Sequence, residues 1–199
     1  MMRKLLTLLA VAGLSVANLF AQGLVDYRSL EKKLEKSNES IANEKKAQKL
    51  GTWMDRGELM VKIFNTYQGN LTFGMDQSTF ALLMGRAQGE RDEQIGDKTY
   101  HVLETERVDY YYADGKYTFF KVKTPLVEDP LGLAFAAYNK AIELDPEKKK
   151  ENSVTESLIQ LRNAYVNAGL NAYKQTDYAG AIKDFQGAIA IDPLATGKK

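Results

Sequence analysis

Between residues 27 and 48 apolar positions recur at helical spacing, with Leu30, Leu34 and Ile41 on one side and Lys and Glu filling the rest. Asp26 stands where an N-cap is wanted. The charged content reads as a solvated face carrying i,i+4 pairs. A second helix is predicted over residues 52–67, carrying Trp53, Leu59, Met60, Ile63 and Phe64, and Gly69-Asn70 breaks it. Asp76 is then placed to cap a short helix holding Phe80, Leu82, Leu83 and Met84, which Gly85 ends. After a polar stretch the period changes to two. Strands are predicted at 93–95, 98–104, 108–112 and 117–122, with Gly96-Asp97 and Asp114-Gly115 as two-residue turns that tolerate positive φ. These make a meander of three or four antiparallel strands, closed by Pro125 and Pro130.

Helical periodicity returns at residues 133–144 and stops at Asp145-Pro146, followed by a charged turn over 147–151. Ser153 and Glu156 have the spacing of a capping box and predict a long helix to about residue 175. Thr176-Asp177 turns the chain into a last helix over 178–191, predicted to stop at Asp192-Pro193. Two helices ending in A-I-E-L-D-P and A-I-A-I-D-P signal an internal repeat.

From Asn167 to Pro193 the residues are those of a tight helical hairpin. Gly169 permits close approach, Ala181 is the small residue opposite, and Tyr178, Phe185, Ala188, Ile189 and Pro193 complete the second helix. This stretch resembles a tetratricopeptide repeat (TPR), with Ala172 where a tyrosine is usual and Tyr173 beside it. Ala134, Tyr138, Ala141, Ile142 and Pro146 resemble the second helix of another copy, and Trp53-x-x-Arg56-Gly57-x-x-Met60 resembles its first, with Arg56 replacing the usual leucine. About 65 extra residues separate these halves. The resemblance therefore implies a TPR with a small α+β module inserted at its inter-helix turn, where loop-closure entropy makes insertion inexpensive. Within that module Gly74-Met75, the run 81–85 and the strands around 108–111 and 113–116 resemble the SmpA/OmlA type of small outer-membrane lipoprotein domain, without the proline after Gly85 or the lipidated cysteine.

The expected fold class is thus mainly α, with TPR-type antiparallel helix pairs and an inserted module containing a 3–4-stranded antiparallel sheet. The expected divisions are an export signal at 1–21, N-terminal helices at 22–68, the insert at 69–129, and the remaining repeat helices at 130–199. The signal rests on Arg3 and Lys4 ahead of the apolar run 5–16, with cleavage after Ala21 or Ala17. An uncleaved anchor is the competing reading, but the run is short of the ~18–20 residues that span a bilayer. Export predicts a periplasmic or cell-envelope location with no stable membrane insertion after cleavage. The absence of cysteine leaves burial alone to stabilise the fold there.

The charge balance is 27 basic against 26 acidic residues, in which nothing suggests the net basic surface that nucleic acid requires. One histidine, His101, lies in a predicted strand with no His or Cys nearby, so it reads as a sheet-surface residue. Glu104 and Glu106 alternate onto one strand face as the sole candidate acid pair. No phosphate-binding glycine loop occurs, so neither enzyme nor cofactor is expected. The run Tyr110-Tyr111-Tyr112 with Tyr117, Phe119 and Phe120 reads first as cross-strand aromatic pairing, and second as an exposed patch that binds an envelope protein or glycan. The TPR resemblance implies a protein-binding groove along the first helix of each repeat. Its candidate residues are Met54, Glu58 and Lys62, then Asn163, Leu170, Tyr173 and Lys174. Two and a half repeats are few for a stable stack, which raises self-association as a further expectation.

Overall fold

The computed structural model describes residues 26–196, so the predicted export segment lies outside the described residues. Seven α-helices and one four-stranded antiparallel sheet make a mixed α+β fold among them.

Helix α1 (Tyr27–Ala42) starts where Asp26 Oδ1 accepts the Ser29 amide at 3.0 Å. The predicted single helix over 27–48 breaks at Asn43, which turns extended and uses its own side chain to cap α2 (Glu44–Ala47). Helix α3 (Leu50–Gln68) is pinned at its start by Trp53 Nε1, which donates to the Ala47 carbonyl at 2.8 Å, and ends at Gly69 with φ +65°. Arg56 is buried and donates to Ser37 and Asn38 of α1, so the residue that replaces the usual leucine ties these helices together.

A 3-10 turn (Gln77–Thr79) leads into α4 (Phe80–Met84). Asp76 does not cap it by its side chain as expected, because its carboxylate pairs with Lys116 Nζ at 2.7 Å. Strands β1 (Gly89–Ile95), β2 (Lys98–Glu104), β3 (Val108–Ala113) and β4 (Lys116–Val122) then form a simple meander. Gly96 turns the first hairpin at φ +62°, and Asp114 and Gly115 turn the third at +50° and +72°, the geometry two-residue hairpin turns demand. Leu103, Val108, Tyr110, Tyr112, Tyr117 and Phe120 face the helices and join the main core, with Phe80 edge-on to Tyr110 at 5.4 Å. Tyr100, Val102, Tyr111 and Phe119 form a smaller cluster on the other face.

Helices α5 (Pro130–Glu143), α6 (Glu151–Lys174) and α7 (Tyr178–Thr196) complete the chain. Asp129 caps α5 through the Gly132 amide. The capping box is not used: α6 starts two residues before Ser153, because the Asp145 carboxylate takes the amides of Lys149 and Lys150 at 2.9 and 2.7 Å. The two Asp-Pro pairs also differ. The first ends α5, whereas α7 runs through Asp192-Pro193 to Thr196. In the second copy the aspartate reaches Arg162 at 2.7 Å instead of building a turn, and the residues after the proline are helix formers.

Helix α3 packs mainly on α5 although residues 69–129 lie between them in sequence, and α6 packs mainly on α7. Helix α6 also lies across both α3 and α5, and α1 lies on α3.

Candidate functional site

Close helix approach decides where the surface opens. A β-carbon on Gly57 would overlap the ring of Tyr138, and one on Gly169 would come within 2.6 Å of the Phe185 ring. Each hairpin therefore closes on a glycine facing an aromatic ring, α3 against α5 and α6 against α7, and α6 in turn lies on α3. Between α1, α3 and the N-terminal half of α6 lies an open groove of about 1030 Å³. Ser29 and Lys33 line it from α1, Glu58, Lys62, Asn65 and Thr66 from α3, and Ser153, Glu156 and Gln160 from α6. Leu30, Val61 and Met84 supply apolar surface within it.

Among the described residues Lys33, Lys62 and Glu156 form no ion pair, so their charges are open to a ligand. Burial raises the Tyr138 phenol to about 12, against a hydrogen bond to Ser157 and with the Glu58 charge adding to the rise, so the phenol beside Ser157 is neutral at physiological pH. The groove can accept and donate hydrogen bonds along its length and carries both signs of charge.

Glu58 and Lys62 are the predicted residues that the groove brings together. Met54 is buried and unavailable to a partner. Asn163 is exposed one turn beyond Gln160, continuing that stripe without lining the groove. Leu170 and Tyr173 are exposed elsewhere, and the Lys174 ammonium sits 5.1 Å from the Phe73 ring centroid. The sequence placed the α6 part of the groove at Asn163, Leu170, Tyr173 and Lys174, but one side of that half of the helix packs against the segment 69–129. There the Asn171 side-chain amide accepts from the Phe120 amide at 2.9 Å and donates to the Phe120 carbonyl at 3.1 Å, completing the edge of β4. Ser29, Lys33, Asn65, Ser153, Glu156 and Gln160 were missed; the i,i+4 spacing of Glu156 and Gln160, continued by Asn163, was the available signal.

The sheet presents charge rather than rings. Tyr110, Tyr111, Tyr112, Tyr117, Phe119 and Phe120 are all buried, and Tyr111 stacks on Phe119 at 4.4 Å, as cross-strand pairing requires. On the outer face Arg91 lies among Glu93 at 2.8 Å, Asp109 at 3.0 Å and Glu104, while Lys121 Nζ sits 4.6 Å from the Tyr111 ring centroid. His101 is on the sheet surface, 2.9 Å from Asp92. Glu104 and Glu106 do not form an acid pair: the first goes to Arg91 and the second, beyond the end of β2, to Arg107.

No family model, curated protein or solved structure matches this chain. Among the described residues no helix is long and apolar enough to cross a membrane, and no group of three or more His, Cys, Asp or Glu side chains could hold a metal ion.

Proposed function

We propose that this chain is a non-enzymatic interaction scaffold of the bacterial cell envelope that holds a segment of a partner protein in the α1–α3–α6 groove. The observation that carries this reading is the groove itself: it is long, open, lined by hydroxyls and amides, and flanked by unpaired charges of both signs. Such a surface suits a polypeptide, whose main chain offers donors and acceptors at every residue.

The packing also supports a TPR-type reading of the helices. Gly57 with Tyr138 and Gly169 with Phe185 are the same pair twice, and the first spans about 65 residues more of chain than the second. An envelope location rests on the basic start and apolar run at the N-terminus.

Crosslinking in the native host tests the groove. The wild type should capture one or two stoichiometric proteins, and Lys62→Glu combined with Gln160→Ala should lose them with an unchanged melting temperature. Equal capture by the variant would remove the groove from consideration.

A further inference from the structure

The C-terminal hairpin exposes positions that the first hairpin hides. Superposing A-I-E-L-D-P on A-I-A-I-D-P, and Gly57 on Gly169, makes Met54 equivalent to Val166, Val61 to Tyr173, Leu131 to Tyr178 and Phe135 to Ile182. Met54, Val61 and Leu131 are 7%, 4% and 4% exposed, and Phe135 packs against the core. Their counterparts are 38%, 59%, 58% and 58% exposed. The difference has a plain cause. Helix α6 lies across α3 and α5, and no described helix lies across α6 and α7 on the corresponding side.

The exposed residues form two stripes. Ile159, Val166, Leu170 and Tyr173 share one side of α6, opposite the buried Leu161, Ala164 and Ala168. Tyr178, Ile182 and Ile189 share one side of α7, and the Tyr173 and Tyr178 rings meet at 5.8 Å to join the stripes. No stripe residue is charged. Nearby lysines are engaged within the chain, Lys174 on Phe73 and Lys183 with Asp129 at 3.4 Å.

We infer that a second copy of the chain docks on this face, the α6/α7 side of one protomer against the same side of the other about a two-fold axis. The internal contact between hairpins shows that the equivalent positions are buried by helix packing when a helix is present to cover them. In a second copy α6 has spent its buried side on its own α3 and α5, so the apolar helix surface left to offer is this same stripe. An isologous contact then sets uncharged stripes against each other, with the charges of Arg162 and Asp192 beside them paired within the chain at 2.7 Å. From Ile159 to Tyr173 and from Tyr178 to Ile189 the two stripes present an apolar face about 20 Å long and 20 Å wide. That is roughly 400 Å² per copy, about 800 Å² in total, the size of a weak, concentration-dependent dimer rather than a permanent one.

Sedimentation velocity on the full chain, from about 1 to 500 µM, tests this. The wild type should reach a dimer, and Ile182→Glu with Ile189→Glu should weaken it by a hundredfold or more with unchanged circular dichroism. Leu82→Glu, at the exposed apolar residue of α4, should leave the dimer intact. A wild type monomeric throughout, or a dimer that survives the double substitution, would overturn the inference.

Discussion

The ring of Tyr138 fills the space that a β-carbon on Gly57 would need, and Phe185 stands in the same relation to Gly169. The two contacts differ in how far the ring can retreat. Tyr138 is fully buried beside Ser157, whereas Phe185 is partly open to solvent. Gly57→Ala should therefore destabilise by about 2 kcal/mol, the overpacking cost less a helix-propensity gain, while Gly169→Ala should cost under about 1 kcal/mol. Urea unfolding of both variants decides it, and a larger loss at Gly169 would contradict this account.

Asn171 holds the sheet to the helices through both polar groups of its amide. Asn171→Leu leaves the Phe120 amide without an acceptor and the carbonyl with only Gln175 at 3.2 Å. A loss of about 2–3 kcal/mol is expected, with faster hydrogen exchange at Phe120 before exchange in α6. Unchanged protection at Phe120 would mean that the edge of β4 is held by something else.

Much of this arrangement was legible in the sequence because it depends on local rules. Periodicity located the last three strands and the end of β1, whose first four residues from Gly89 are too polar to read as strand, and Gly96 and Asp114-Gly115 marked their turns. The choices that failed were between competing partners for one side chain. Asp76 could cap a helix or pair with Lys116, and Ser153 could start α6 or be pre-empted by Asp145. Those outcomes depend on residues about 40 and 8 positions away; the first lies outside any local window, and the second is a contest between two acceptors inside one. The groove was half legible for the same reason: repeat position located Glu58 and Lys62, but only folding brings the segment 69–129 over Lys174.

Eight of the nine buried tyrosines make the fold sensitive to alkali. Burial raises the phenol pKa of Tyr27, Tyr138 and Tyr165 to about 12, and raises Tyr67, Tyr110, Tyr111, Tyr112 and Tyr117 as well. In the unfolded chain these groups ionise near pH 10. Their contribution is thus complete below about pH 10 and is lost as pH rises through 12. The tyrosinate absorbance of these groups should appear in one cooperative step together with loss of helical circular dichroism. Gradual ionisation with the helices intact would refute the burial assigned to them.

Asp184 works in the acid range. Its carboxyl is raised to about 6, first by burial and then by Asp129 and Asp177, against the lowering effect of Lys183. The cleft it lines, between β4, α6, α7 and the segment leading into α5, also holds Asp129. Because the folded pKa lies above the unfolded value, the contribution of this group is present below about pH 4 and is lost as pH rises through 6. At pH 7.5 the ionised carboxylate is therefore a liability, worth about 1 kcal/mol once partial solvent exposure is discounted. Asp184→Asn should stabilise the protein by that amount at pH 7.5 and by nothing at pH 4, with the difference opening between. Urea unfolding at four pH values would show it. Destabilisation by Asn at pH 7.5 would mean that the pairing with Lys183 outweighs burial and the two neighbouring aspartates.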